Sequence, residues 1–209
     1  MRPYKTAHTE AKTERIINRS RFISQCFPVR SEDEALLRLN EVRKQYPDAT
    51  HVCYAYRIGE LSETTRFSDA GEPSGTAGMP ILEVLKANEL TYVLCTVTRY
   101  FGGILLGAGG LVRAYSSGAA DAVKAAGVEK HIPGALIVLR CDYSRYSAIE
   151  SLIAKSNAAI TESEFTDEIR LSISCAKGEA DSIIKAIIER TDGRCKPEIA
   201  GECELVLPQ

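Results

Sequence analysis

"TYVLCTVTRYFGGILLGAGGLVRAYS", residues 91–116, decides the fold of the first part of the chain. Residues 91–101 are rich in β-branched, aromatic and other apolar side chains, which is typical of a strand that is covered on both faces. Glycines then interrupt the pattern, and a helix is predicted over about residues 111–126, with Gly127 as its stop signal. The stretch therefore predicts a buried strand that continues through a glycine turn into a helix.

A second glycine-rich stretch, "DAGEPSGTAGMP" at residues 69–80, lies upstream. Pro80 suits the first turn of a helix that runs to about Asn88, since an N–H group at that position has no partner within the helix. The later stretch lacks the Lys of a P-loop and the third glycine of a dinucleotide fingerprint, so neither nucleotide signature is present. Two interpretations remain open. Either the N–H groups at the helix starts bind an anion, or the glycines only permit positive φ and close packing.

Five charged residues near the two stretches are candidates for a site: Arg66, Asp69, Glu72, Arg99 and Arg113. Asp69 and Glu72 form a candidate acid/base pair, although their spacing does not show that they converge. The run Arg99-Tyr100-Phe101 suits stacking on nucleic-acid bases, and it suits strand packing equally well. Because a strand end and the following helix start lie close together in an α/β sheet, we expect Arg99 and Arg113 to line one cleft with loop 71–78. We also expect both arginines to be largely exposed.

The remainder of the first 130 residues predicts a hairpin, a helix and a strand pair. "ERIINRSRFISQCFPV" predicts a β-hairpin that turns at residues 18–20, and "HVCYAYRIG" predicts a strand whose partner is "TTRFSDAG". Between them, Ser31 and Glu34 form a capping box at the start of a helix. The apolar face of that helix is predicted to consist of Leu36, Leu37, Leu39, Val42 and Tyr46.

The pattern restarts after the segment "KHIPG", residues 130–134, where we place a domain boundary. Strand and helix periodicities then alternate in the order βαββαβ over about 75 residues, which is the ferredoxin-like pattern. The sequence therefore predicts an α+β protein with two domains, residues 1–130 and residues 134–209.

Composition narrows the class of protein. The 209 residues carry a net charge of −2, and residues 1–30 hold seven Lys and Arg against two Asp and Glu, so this region is a candidate surface for an anionic partner. The seven cysteines are an odd number without a CxxC pair, which indicates reduced core residues in a cytosolic protein. Neither a membrane span nor a secretory signal is predicted. The three histidines have no metal-ligand spacing with the cysteines.

Taken together, the two glycine-rich stretches resemble the motifs of the IMPACT family, specifically its bacterial two-domain branch. The resemblance covers essentially the whole chain. The matching residues of the first motif are Asp69, Gly71, Glu72, Pro73, Ser74, Gly75, Thr76, Ala77, Gly78 and Pro80. Those of the second are Arg99, Tyr100, Gly102, Gly103, Leu106, Gly107, Gly110, Leu111, Arg113 and Tyr115.

The resemblance implies an N-terminal α/β domain similar to domain 2 of ribosomal protein S5, followed by a ferredoxin-like domain. As a pair, the two domains would resemble domains IV and V of elongation factor G. It also implies a role in translation, because eukaryotic family members regulate translation. No catalytic role for the motif residues follows from it.

We therefore expect a cytoplasmic, non-enzymatic regulator related to translation that binds RNA or the ribosome. A translation-related protein is a further candidate partner, and no membrane contact is expected. Two alternatives stay open: an enzyme or binder of a phosphorylated small molecule at the glycine loops, and a protein-interaction module whose glycine loops are structural. No catalytic residue, metal ligand or cofactor is assigned. The residues assigned to nucleic-acid or anion binding are Arg66, Arg99, Tyr100, Gly102, Gly103, Gly110 and Arg113. Those assigned to the motif loop are Asp69, Gly71, Glu72, Ser74, Gly75, Thr76 and Gly78.

Overall fold

A computed structural model describes residues 1–208, which form two compact units. The first consists mainly of Pro3–Lys130, and the second of His131–Leu207 together with Met1–Arg2. The first unit contains six strands and three helices: β1 (Tyr4–Ala7), β2 (Ala11–Ile17), β3 (Ser20–Pro28), α1 (Glu32–Gln45), β4 (His51–Ile58), β5 (Thr64–Ser68), α2 (Gly78–Ala87), β6 (Val93–Tyr100) and α3 (Gly107–Ala126). The second contains β7 (Val128–Cys141), which begins three residues before the division, then α4 (Tyr143–Ile153), β8 (Ala159–Phe165), β9 (Ile169–Ala176), α5 (Ala180–Arg190) and β10 (Glu198–Pro208). Both units are therefore mixtures of helices and antiparallel strands.

The sheet of the first unit has the strand order β2-β3-β6-β4-β5, and all of its pairs are antiparallel. The predicted hairpin joins β2 and β3. Its turn residues Asn18 and Arg19 have φ values of 46° and 62°, and such a pair of positive φ values matches the right-handed twist of hairpin strands. The predicted pairing of β4 with β5 is also confirmed. Strand β6 lies in the middle of the sheet, as its continuous apolar run predicted.

Helices cover both faces of this sheet. Helix α1 packs on one face against alternate strand residues such as Ile23, Tyr56 and Leu94. Helices α2 and α3 pack on the other face against the intervening residues, which include Cys53 and Val97. The residues of β6 therefore alternate between the two cores, even though almost all of them are buried.

The predicted apolar face of α1 is partly wrong. Leu39, Val42 and Tyr46 are buried, but Leu36 and Leu37 lie on the solvent side. The helix completes its inner face with Ala35. Ser31 accepts the N–H of Glu34 as the capping box predicted, whereas the Glu34 carboxylate accepts the N–H of Arg30, one residue earlier than expected.

Helix α3 begins at Gly107, four residues before the predicted start, so the glycines of the second stretch form its first turn. Arg113 consequently lies in the second turn rather than in the first. Gly127 ends the helix with a φ of 68°, as its position predicted. The backbone N–H of His8, just after β1, donates to the carbonyl of Gly127 and ties the start of the chain to this helix end.

The second unit has the element order βαββαβ, and β10, β7, β9 and β8 lie in that order in a five-stranded sheet whose fifth strand, β1, also pairs with β7. Odd-numbered residues of β7 and β9, such as Ile137 and Ile173, point into a core shared with α4 and α5. The even-numbered residues form the opposite sheet face. Strand β7 starts at Val128, so the segment predicted as a boundary lies within a continuous strand.

Candidate functional site

The carboxylate of Asp69 holds the first glycine loop in place. It accepts the backbone N–H groups of Gly75, Ala77 and Gly78 at 2.8–2.9 Å. Partial burial alone would raise the pKa of Asp69, but these three N–H donors outweigh it and hold the pKa below its usual value. The N–H groups at the start of α2, a candidate site for an external anion, are thus already bound to a carboxylate of the same chain.

Glu72 is a buried carboxylate at the centre of the candidate site. Its Oε1 accepts a hydrogen bond from Arg99 Nη1 at 2.7 Å and another from the Tyr115 hydroxyl at 2.7 Å. The Glu72 and Arg99 side chains are 3% and 6% exposed. A buried charge is tolerated only when it is paired and hydrogen-bonded, and here the two motifs supply opposite charges to each other. We call Glu72, Arg99, Tyr115 and Ser20 the Glu72 cluster.

Arg99 connects this cluster to the hairpin. Its Nη2 donates to Ser20 Oγ at 3.3 Å, and the same oxygen accepts the backbone N–H of Gly102. Its guanidinium lies 5.4 Å from the ring centroid of Phe22 and 5.3 Å from that of Phe101, within the range of cation–π attraction. Its Nε is buried and has no hydrogen-bond partner among the described atoms. Arg99 therefore joins three segments of the first unit rather than facing solvent.

His51 and Cys53 border the cluster on the side of β4. His51 Nε2 lies 3.9 Å from Glu72 Oε1, and its Nδ1 is 2.9 Å from the carbonyl oxygen of Ala70. The thiol of Cys53 donates to the carbonyl of Asp69, and burial raises its pKa to about 12. Burial likewise raises the pKa of Tyr115 far above its usual value. Cys53 and Tyr115 are therefore neutral near pH 7, which is unsuited to nucleophilic catalysis.

The second glycine loop, residues 101–106, presents apolar side chains to solvent. Leu105 is 85% exposed, and Phe101 and Ile104 are each more than 40% exposed. The loop is fixed at its base by Gly102, where an added Cβ would lie 2.1 Å from the backbone of Arg19 at the hairpin turn. Gly103 and Gly107 have positive φ values of 82° and 70°. The loop is thus an apolar tip held on a polar, buried base.

Two protein-family models match the chain, one in each unit. The Impact N-terminal domain matches residues 18–123, which include both glycine loops. A domain of unknown function, DUF1949, matches residues 139–194 of the second unit. The chain belongs to the IMPACT family.

Bacterial relatives match over most of the chain. It is 36% identical over 191 residues to IMPACT family member YvyE of Bacillus subtilis, covering 91% of this chain and 88% of that protein. It is 35% identical over 159 residues to IMPACT family member YigZ of Escherichia coli, covering 75% and 78%. A solved structure described as a hypothetical protein matches with a TM-score of 0.62 at 28% identity, over 96% of this chain and 98% of that one. A eukaryotic relative, Protein IMPACT homolog of Dictyostelium discoideum, is 40% identical over only 95 residues, 43% of this chain and 26% of that protein.

The structure places the residues assigned to binding in three separate locations. Arg99 is buried in the Glu72 cluster, so the expectation that it is exposed is wrong. Arg66 is the register partner of Tyr56 in the β4–β5 pair. Arg66 and Tyr100 both lie on the α1 side of the sheet. Arg113 is exposed two residues before Tyr115, about 200° around the helix, so the expected cleft shared with Arg99 and loop 71–78 does not form.

Among the motif glycines, Gly102 and Gly103 lie in the second loop, and Gly110 lines a shallow apolar depression with Arg113. In the first loop Gly71, Ser74 and Gly75 are exposed. Thr76 and Gly78 are buried there together with Glu72. An added Cβ at Gly78 would lie 2.7 Å from the backbone of Ser68, so this glycine is required by close packing.

Sequence reasoning missed the roles of Tyr115, Ser20, His51 and Cys53. Helical spacing could have predicted that Tyr115 is buried. It lies four residues after Leu111 and four before Ala119, on the apolar face of α3. The basic character of residues 1–30 is also partly neutralised in the fold. Arg15 pairs with Asp121, Arg21 with Glu14 and Lys5 with Glu89.

No helix within residues 1–208 is long and apolar enough to cross a membrane. No group of three or more His, Cys, Asp or Glu in that range is arranged to hold a metal ion.

Proposed function

We propose that this IMPACT family member is a non-enzymatic cytoplasmic regulator of translation that works by binding a partner, and that it binds through the second glycine loop. The observation that carries the proposal is the inverted placement of polar and apolar groups in the two motifs. The charged side chains of Asp69, Glu72 and Arg99 are turned inward and bound to each other or to backbone, while Phe101, Ile104 and Leu105 are turned outward. A rigid loop with apolar side chains exposed is typical of a contact surface.

An enzyme acting at these loops is less well supported. The acid/base pair considered from the sequence is fully engaged, since Asp69 accepts three backbone N–H groups and Glu72 accepts Arg99 and Tyr115. Arg99 and Arg113 also do not share a cleft in which a phosphate could lie.

We also propose a specific fold for each of the two units. The order βαββαβ with strands arranged β10-β7-β9-β8 supports a ferredoxin-like second domain. The first unit, with helices on both faces of its sheet, supports the similarity to domain 2 of ribosomal protein S5. A pair of domains like domains IV and V of elongation factor G would favour the ribosome as the partner.

The test is co-sedimentation of the purified full chain with ribosomes, combined with a pull-down from lysate with and without nuclease. Leu105→Asp places a charge on the apolar tip and should abolish capture. Leu61→Asp is the matched control, because Leu61 is 62% exposed in the turn between β4 and β5, outside both glycine loops. If Leu105→Asp is captured as well as wild type, or if wild type captures nothing in either experiment, the proposal is wrong.

Direct RNA contact is a second candidate, carried by Arg19 and Arg113. Both are exposed, and neither makes an ion pair within the described part of the chain. Arg19 lies at the hairpin turn against Gly102, beside the loop. In this case capture should be lost on nuclease treatment and should weaken steeply with salt. Capture that survives nuclease at moderate salt would instead favour a protein partner.

A further inference from the structure

The second unit contains a group of cations that the proposed function does not use. A cavity of about 520 Å³ on this unit is lined by Arg140, Arg170, Arg194 and Lys196, together with Glu168 and Glu198. We call it the second-unit cavity. All six of these side chains are exposed.

Arg140 and Arg170 are direct neighbours across two antiparallel strands. They are register partners of β7 and β9, on the even-numbered face that points away from the core of this unit. Directly opposed like charges destabilise a sheet. The two arginines occupy this arrangement with no carboxylate within 4.0 Å of either guanidinium among residues 1–208.

The other charges of the cavity do not resolve this conflict. Glu168 and Glu198 also form no ion pair within the described residues, and they are outnumbered by four cations. An adjoining depression shares Arg140, Arg170 and Glu168 and adds Asp167 and Glu164, which is the register partner of Arg170 on β8 but forms no ion pair with it. The second-unit cavity itself therefore has an excess of positive charge, whereas the depression beside it does not.

We propose that the second-unit cavity binds a phosphate group, with Arg140 and Arg170 as its principal ligands. Two guanidinium groups side by side offer parallel N–H donors that match the oxygens of a phosphate, and a bound anion would relieve their mutual repulsion. The volume lies within the range of ligand pockets, so the phosphate belongs to a ligand of nucleotide size or to the backbone of a single-stranded RNA. Val138, an apolar residue on the same sheet face as Arg140, suits the uncharged part of either ligand. This proposal does not depend on the loop surface of the first unit.

Binding is measured on the full chain with two probes, inorganic pyrophosphate by calorimetry and a labelled 12-nucleotide oligouridylate by fluorescence anisotropy. Wild type should bind at least one probe, with an affinity that falls as salt is raised. The variant Arg140→Ala/Arg170→Ala should weaken binding about tenfold or more, since hydrogen bonds to charged groups are the strong ones. Lys155→Ala/Lys185→Ala removes the same charge from exposed positions of this unit outside the cavity and should bind as wild type does.

The pattern of results distinguishes the two sources of phosphate. Loss of pyrophosphate and RNA binding together indicates a site for a phosphate monoester or diphosphate ligand, whereas loss of RNA binding alone indicates the nucleic-acid backbone. Without ligand, the double arginine variant should melt cooperatively at about the temperature of wild type, which shows that the variant is folded. The proposal is overturned if neither probe binds wild type, or if the double arginine variant binds as tightly as the lysine control. Neither result would bear on the loop surface, whose test uses Leu105.

Discussion

Replacing Glu72 by alanine should destabilise the first unit by about 4 kcal/mol. Removing one partner of a buried ion pair costs about 3–5 kcal/mol, and leaving a buried hydroxyl without a partner costs about 1–3 kcal/mol. The two costs overlap here, because Arg99 and Tyr115 both donate to the same oxygen of Glu72 at 2.7 Å and can relax together. The matched control is Glu14→Ala. Its partner Arg21 is 48% exposed and Glu14 is 40% exposed, so the loss of stability should be far smaller.

Amide hydrogen exchange of β6 is the suitable measurement, because it reports opening of the first unit without mixing in the second. The Glu72→Ala variant should exchange these amides much faster than Glu14→Ala does. The double variant Glu72→Leu/Arg99→Met should recover most of the protection, since an apolar pair of similar volume leaves no unpaired charge. If Glu72→Ala and Glu14→Ala differ by less than about 1 kcal/mol, the scale of an exposed pair, the Glu72 cluster does not hold the two motifs together.

Three further predictions follow from the same region and from the cysteines. Because the folded pKa of Asp69 lies below its usual 3.8, its carboxylate contributes stability that is complete above about pH 5 and is lost as the pH falls toward the folded pKa. The difference in urea midpoint between wild type and Asp69→Asn should therefore shrink from pH 7 to pH 3, and a constant difference would contradict this reasoning. Gly102→Ala should destabilise the protein by about 3 kcal/mol because its Cβ would overlap the backbone of Arg19. Gly103 has open space around it but a φ of 82°, so Gly103→Ala should destabilise it by about 1–2 kcal/mol. Equal melting temperatures for the two variants would refute the packing argument. Six of the seven cysteines are buried and Cys203 is half-buried. At most one thiol should therefore react with a thiol reagent at pH 8 in the folded protein, and all seven should react after unfolding. Rapid reaction of several thiols in the folded protein would be inconsistent with the fold.

Periodicity and turn chemistry predicted most of the elements of the first unit. The hairpin at Asn18, the β4–β5 pair and the buried strand β6 followed from local patterns, because each signal lies within a few residues. The start of α3 was misplaced since Gly107 and Gly110 have low helix propensity, which the packing of the helix against the sheet overrides. Leu36 and Leu37 were misjudged because the helix pattern offered more leucines than one face can bury.

The role of Arg99 was misread because arginine is seldom buried. Strand alternation predicts the correct side of the sheet for Arg99. Its side chain points to the same face as those of Cys95 and Val97, which face α2 and α3. What the sequence could not supply was the identity of the partner. Glu72 lies 27 residues away in a loop whose path is set by Asp69, and only the folded chain brings its carboxylate to the guanidinium.

The Glu72 cluster also affects when the first unit can complete its folding. Its hydrogen bonds join residues 27, 43 and 79 positions apart, and Ser20 reaches Gly102 across 82 positions. Contacts of such long range close late in folding, because the chain entropy of large loops must be lost first. On a nascent chain that lengthens by about 5–20 residues per second, the base of the second glycine loop cannot form until Tyr115 has been synthesised and released from the exit tunnel. The exposed apolar tip therefore acquires a fixed shape only when the first unit is essentially complete. An unfinished chain presents the same apolar side chains without the geometry that a partner would recognise.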